Sequence, residues 1–533
     1  ITRSQVWKAD GTEDQILYGS DTDASDKFGI SVGMDGNYAI VGAQQGDGGN
    51  GSAYIFYKSG GTWSEQAKLT ASDKANNDVF GDDVDISGDY AIVASRQDDD
   101  PSNAGSVYIF KREGTTWTQK DRLRSDSPGQ DDNFGDSVAI SGDYAVVCSA
   151  YDDDANTNSG AIFVFNRNSD ETWSRQVKLT PVSDSSATIG QEGALNINGD
   201  YLAFGNKRYN SSRGRVYVYK RSGTSWGDVV YIDNPSDQTT SYFGQKGIAM
   251  AGDYLAAGST NISVDGITEA GAVYVFKRTV NNWSSSSTFD NLIPVSGLGS
   301  YPGVVYWVYD SSQSDTNNLQ FELWRVDTGA LNTATNGIRF SKQSDGSTLL
   351  QVNVGDDTGT PSRISSTNSL PDTSSISLTV TTGSEVYLWS GTLKAKLIIP
   401  DYCVHPFDIT TWTLKASLSA SDKAANAHFG GSMRMTTDTL VIGAQSVNSN
   451  AGQVYIFERS GEDWTEVKKI TASDAASNDY FGYAIDISGT DIIVGAYGED
   501  TKGTDAGAAY VYEKQYVGPT LTYDNANKLS LTG

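Results

Sequence analysis

Phe80-Gly81, then Ser87-Gly88-Asp89-Tyr90-Ala91-Ile92-Val93-Ala94, then Gly105-Ser106-Val107-Tyr108-Ile109-Phe110, closed by Trp117, make up one unit of this chain. A Gly-Asp turn precedes a β-branched run. A second apolar run starts from small residues. The unit therefore reads as short strands joined by turns. It recurs seven times, opening at Phe28-Gly29, Phe80-Gly81, Phe134-Gly135, Ile189-Gly190, Phe243-Gly244, Phe429-Gly430 and Phe481-Gly482. The spacings between openings are 52, 54, 55, 54, 186 and 52 residues. A period of about 53 residues holding four short strands is the mark of propeller blades. The long interval implies an insertion of roughly 130 residues in a ring that otherwise closes. No long apolar stripe of helical period occurs, so little helix is expected.

The expected fold is all-β: a seven-bladed β-propeller with an inserted β-sandwich-like domain. Residues 1–283 and 411–515 form the ring, 284–410 the insert, and 516–533 a linker or the start of a following domain. The seventh copy has no Trp after Tyr510-Val511-Tyr512, whereas Trp7 stands alone before the first opening. The strand carrying Trp7 is therefore predicted to complete the last blade, which also removes an exposed sheet edge. Inside the insert, apolar runs at 304–309, 319–324, 348–354, 376–380 and 385–389 read as strands. Trp412 lies 17 residues before Phe429, matching Trp63 to Phe80 and Trp464 to Phe481, so the repeat resumes in register.

Phe-Gly followed about 13 residues later by Gly-Ala resembles the FG-GAP repeat, the blade unit of the integrin alpha-chain head. The resemblance covers all seven copies and implies a propeller in an extracellular adhesion or recognition role. Many family members carry a calcium loop of the form Asp-x-Asp-x-Asp-Gly between the first two strands. Here that loop has shrunk to Ile86-Ser87-Gly88-Asp89-Tyr90 or Ile140-Ser141-Gly142-Asp143-Tyr144, and family calcium sites do not carry over to it.

The formal net charge of −27 and pI near 4.4 argue against nucleic acid and against anionic membranes, both of which call for Lys and Arg. No run of 18 apolar residues is present to span a bilayer. The chain starts at Ile1 without Met, and a piece of a larger virion or cell-surface protein is expected. Of the two cysteines, Cys148 stands where other copies have Ala or Gly and reads as a small buried side chain; Cys403 is remote, and no disulfide between them is expected.

Two loop types are acidic. Between second and third strands stand Asp98-Asp99-Asp100, Asp152-Asp153-Asp154 and Glu499-Asp500; between blades stand Asp73, Asp78, Asp126, Asp131-Asp132, Asp474 and Asp479. Both types leave an up-and-down blade on one face, which should be strongly negative. Such carboxylates suit Ca²⁺, which takes oxygen ligands; as solvated loops they would supply solubility alone. The Ser-Gly-x-x-Trp turns resemble the sialidase Asp-box hairpin but lack its regular Asp. His405 and His428 belong to no catalytic or zinc motif. No catalytic set is evident, and the chain is not expected to be an enzyme; a glycosidase built on its carboxylates is the enzymatic alternative. The expected function is recognition of a glycan or protein on a cell surface. Trp307, Tyr309, Trp324, Tyr387 and Trp389 of the insert are candidate stacking platforms for sugar rings. The other reading is a structural subunit contacting neighbouring copies in a fibre, capsid or appendage.

Overall fold

The computed structural model describes residues 4–98, 103–181, 187–281, 304–309, 320–326, 336–342, 348–353, 385–390, 393–398, 409–517, 520–523 and 529–532. The chain divides into two compact units: Ile1–Thr279 with Thr410–Gly533, and Val280–Ile409.

Among the described residues, the first unit contains seven four-stranded antiparallel sheets. Blade one is Phe28–Asp35, Tyr38–Ala43, Ser52–Ser59 and Thr62–Leu69. Blades two, three and four repeat this order from Val84–Ser87, Phe134–Ser141 and Leu195–Asn198. Blade five joins Phe243–Ala251, Tyr254–Ser259 and Ala272–Asn281 to Ile409–Leu418, so the insertion interrupts its last hairpin. Blade six begins at Ser432–Met435. Blade seven takes Ala484–Ser488, Asp491–Ala496 and Ala508–Glu513, and borrows Gln15–Leu17 as its outer strand. The first strands touch one another in turn and close on themselves, forming the wall of a central channel.

The repeated residues turn out to be the joints between blades. The strand-two tyrosine of one blade meets the strand-four tryptophan of the next, edge to face: Tyr38–Trp117, Tyr90–Trp173, Tyr144–Trp226, Tyr201–Trp412 and Tyr254–Trp464. On the same tyrosines, in the same order, lie Arg112, Arg167, Arg221, Arg278 and Arg459, 4.3–4.7 Å from the ring centres. Each arginine also pairs with the turn aspartate of its own blade: Asp89, Asp143, Asp200, Asp253 and Asp438. One aromatic ring thus receives a T-shaped contact and a cation, each worth about 0.5–1 kcal/mol. At the two closing joints the tyrosine is replaced. Asp491 takes its place against Lys58, 2.8 Å away, and Thr439 leaves Glu458 to pair with Lys514 at 2.6 Å.

Phe-Gly is demanded by the seam. Phe80 is fully buried. The preceding Val79 and the following Gly81 both have positive φ, 53° and 89°. The same pair of left-handed residues frames every opening. The glycine that starts each third strand meets the next opening: a Cβ on Gly105 would lie 2.2 Å from the Phe134 carbonyl oxygen. Blades pack backbone to backbone there, and only glycine fits. Cys148 is fully buried with its Sγ 3.0 Å from the Ile189 carbonyl, in the position of a small apolar residue; Cys403 lies outside the described residues.

One expectation is corrected. Trp7 is not part of the last blade. It follows Ser4–Val6, a strand that pairs with Gln515–Val517 in a separate two-stranded sheet. The reason is length. Leu17 stands 11 residues before Phe28, as Leu69 does before Phe80, but Trp7 stands 21 before Phe28 instead of 17. The four extra residues form a turn in which Gly11 donates to the Lys8 carbonyl and Thr12 to Asp10. Trp7 still packs against the blade-seven core, and its Nε1 donates to Glu458 at 3.1 Å.

In the second unit, Val304–Tyr309, Gln320–Val326, Asn336–Lys342 and Thr348–Asn353 form an antiparallel meander, and Glu385–Ser390 pairs with Leu393–Ile398. Asn336–Lys342 and Leu393–Ile398 were not foreseen; the run at 376–380 lies outside the described residues. Residues 520–523 and 529–532 pair as a hairpin.

Candidate functional site

The channel wall carries carboxylates that stitch the first strands together. A first strand is an inner sheet edge with unpaired N–H groups, and these need acceptors. Asp83 accepts from Val138 N and Ser31 Oγ, both at 2.8 Å. Asp85 accepts from Ile140 N at 2.8 Å, and Asp486 from Met34 N at 2.5 Å. Burial pushes Asp85 up to about 7, with Asp486 adding to it; Asp486 itself rises to about 6 through burial, opposed by Arg434. Near the loop end, Asp82 is pushed by burial to about 7 against the pull of Arg96, which lies 2.7 Å away and also bonds Asp136 at 3.2 Å.

Beside this end of the channel a cavity of about 720 Å³ opens between blades four, five and six. Its basic walls are Lys207, Arg208 and Lys246. Its neutral donors and acceptors include Gln245, Thr260, Asn261 and Gln445. Glu192 joins them, 3.4 Å from Lys207; burial would raise it, but Lys246 and Lys207 hold it below the usual carboxylate range. Gln445 Oε1 is buried without a hydrogen-bond partner. His428 approaches from the blade-five-to-six connection, with Nδ1 3.1 Å from Ser446 Oγ.

The cavity sits where the repeat is irregular. The residue four positions after the opening Phe in most blades, such as Val84 or Val138, has its register partner six positions on in blade four (Leu195) and five in blade five (Ile248). The extra residues in blade four form a short turn, Gln191–Gly193, which carries Glu192 to the cavity wall.

The acidic loops are differently arranged. Asp98 accepts from Tyr108 Oη at 2.7 Å and from Arg122 at 2.7 Å through both oxygens. Asp152 pairs with Lys178 at 2.7 Å, and Asp154 shares the same ammonium. Asp153 accepts from Asn158 N and Asp500 from Asp505 N within their own loops. Glu499 is buried and accepts from Thr501 N at 2.7 Å. Asp99 and Asp100 lie outside the described residues. Among the described residues no three His, Cys, Asp or Glu side chains converge to hold a metal.

In the second unit, Trp307 and Tyr309 are two apart on one strand. Trp324 pairs with Tyr306, out of phase with them, while Tyr387 and Trp389 lie on the separate hairpin. The cavity residues were missed by sequence reading, which followed the acidic loops; the available signal was the Lys207-Arg208 pair, set in a loop that is acidic in blades two, three and seven. No described helix is long and apolar enough to cross a membrane.

The FG-GAP repeat model matches residues 12–56, 63–110, 117–165, 412–457 and 464–512. Each match runs from one outer strand to the third strand of the next blade, and the unmatched stretch holds the irregular blades four and five. No curated protein matches in sequence. Among solved structures, Sqt1 from Chaetomium thermophilum aligns at 10% identity over 96% of this chain and 100% of its own, TM-score 0.43. A Lactobacillus plantarum protein aligns at 11% identity over 82% and 96%, TM-score 0.31. The chain thus carries five FG-GAP repeats within a β-propeller of seven four-stranded sheets.

Proposed function

We propose that this chain is a non-enzymatic extracellular recognition module, and that its ligand is a surface glycan bearing a carboxylate or other acidic group. The observation that carries the reading is the cavity over blades four to six. It gathers Lys207, Arg208 and Lys246 in a chain of net charge −27. Amide and hydroxyl groups beside them suit sugar hydroxyls, and Gln445 offers a buried acceptor in need of a donor. Gln245 and Lys246 lie on a strand and the other groups on short turns at strand ends, which lowers the ordering cost of binding. The chain's net negative charge disfavours an acidic ligand except where local cations overcome it, and three basic side chains do so at this cavity.

The test is a glycan array comparing acidic with neutral sugars. Binding to acidic glycans should fall about tenfold or more when Lys207 and Lys246 are both changed to Ala, since each charged hydrogen bond contributes about 1.5–3 kcal/mol. Changing Trp307 and Trp389 to Ala should leave it intact. Loss in the tryptophan variant with retention in the lysine variant would move recognition to the insert, and no glycan binding at all would sink the reading.

A further inference from the structure

In blades one, two, three and six the third-strand aromatic faces a cation of the outer strand across the sheet, whereas in blade four Tyr217 faces Tyr231. The pairs are Tyr54 with Lys68, Tyr108 with Arg122, Phe163 with Lys178, and Tyr455 with Lys469. Each of these cations neutralises loop carboxylates: Lys68 meets Asp21, Arg122 meets Asp73 and Asp98, Lys178 meets Asp152 and Asp154, and Lys469 meets Asp422. The tyrosine hydroxyl donates to the same acids, from Tyr54 to Asp21 and from Tyr455 to Asp422. A carboxylate at this position comes with a cation from within the chain.

Blade seven breaks that rule. Tyr510 donates to Asp474 at 2.8 Å, as Tyr108 does to Asp73. Glu499 stands where blade two has Asp98, three residues after the end of the second strand. Yet the residue paired with Tyr510 is Ile16, because the outer strand is borrowed from the N-terminal segment. Glu499 is only 3% exposed, and its Oε2 has no hydrogen-bond partner. Glu13, whose Oε2 is also buried and unpartnered, lies with Glu499 and Asp474 within electrostatic reach of Tyr18. Among the described residues neither Glu499 nor Asp474 is in an ion pair. The Lys502 ammonium of the same loop lies over the Tyr18 ring, 5.1 Å from its centre, and forms no ion pair with either acid. An unneutralised buried carboxylate is costly, so this position calls for a cation from solution.

We propose that blade seven binds a hard metal cation through Asp474 and Glu499, in the place that Lys68, Arg122, Lys178 and Lys469 fill in their own blades. The carboxylates do not converge as a three-ligand cage, so water and hydroxyl oxygens complete the shell, as is usual for Mg²⁺ and for weakly held Ca²⁺. Glu499 lies too deep for a partner's side chain to reach without rearrangement, which favours a small ion. The site stands apart from the cavity of blades four to six and does not depend on the glycan reading.

The experiment is thermal unfolding of the chelator-treated full chain, titrated with CaCl₂, MgCl₂ or NaCl at constant ionic strength. The wild type should show a saturable rise in melting temperature, half-complete at about 0.1–1 mM for Ca²⁺; the arm that responds identifies the ion. Ile16→Lys supplies the missing cation, so it should melt higher in chelator and lose the response. Glu499→Gln removes a ligand and should also lose the response; it decides the matter if Ile16→Lys does not fold. No saturable response to any of the three salts would overturn the proposal. So would a response unchanged in Glu499→Gln.

Discussion

At the scale of single residues, the repeated glycines separate into two kinds that the sequence writes with one letter. Gly88, in the Ser-Gly-Asp turn, has φ of 59° and open space where a Cβ would go. Gly105 has φ of 88° and would drive a Cβ into the Phe134 backbone, 2.2 Å from its carbonyl oxygen. Gly88→Ala should therefore cost about 1–2 kcal/mol, the strain of a left-handed non-glycine residue. Gly105→Ala adds a backbone clash at a blade seam and should cost about 4 kcal/mol. Urea unfolding of the two variants checks this; equal losses would show that the seam has room. The Phe-Gly signature was legible in sequence, but which of these glycines seals blade to blade is a property of the neighbouring copy.

At the scale of elements, ring closure rests on a three-residue strand. Gln15–Leu17 supplies the outer edge of blade seven, and Leu17 is 2% exposed between blade-seven and blade-one side chains. Leu17→Ala should destabilise the whole ring by about 3 kcal/mol, the usual cost of a buried Leu truncation. Trp7→Ala should cost only about 1–2 kcal/mol, because its ring is half-buried outside the sheet. The order of the two melting temperatures is the readout, and a larger loss from Trp7→Ala would restore that strand to the blade. Sequence reading placed the closing segment correctly in the N-terminal stretch but chose the wrong residues. A tryptophan is a louder signal than Gln-Ile-Leu, and a four-residue turn hides the true register.

At the scale of the whole molecule, the channel carboxylates shape the response to pH. Asp82 and Asp85 titrate near 7 and Asp486 near 6 in the folded chain, against 3.8 when unfolded. Between those values the folded state holds protons that the unfolded state has lost. Their stabilising contribution is full below pH 3.8 and is lost as pH rises through 6–7. On the acid side, Glu462, held at about 2 by Lys277 and Lys415, works in the opposite sense below its ordinary 4.5. The melting temperature should peak near pH 4 and fall as pH rises to 7. Melting scans at fixed ionic strength check it; a flat profile from pH 4 to 7 would show that the channel acids are hydrated and ordinary.

The sequence by itself determined the number of blades, their strand order and the point of interruption, because period, turn residues and apolar alternation are local properties that each copy repeats. It also determined that positions such as Tyr38, Asp89, Arg112 and Trp117 recur. Only the tertiary structure showed that these four meet across two blades as one joint, since the partners of a blade's residues lie in the copy before or after. It alone brought Lys207, Arg208 and Lys246 to one cavity, and it alone set Ile16 opposite Tyr510. Both are long-range juxtapositions, made by ring closure and by loops of unequal length, and no spacing along a single strand encodes them.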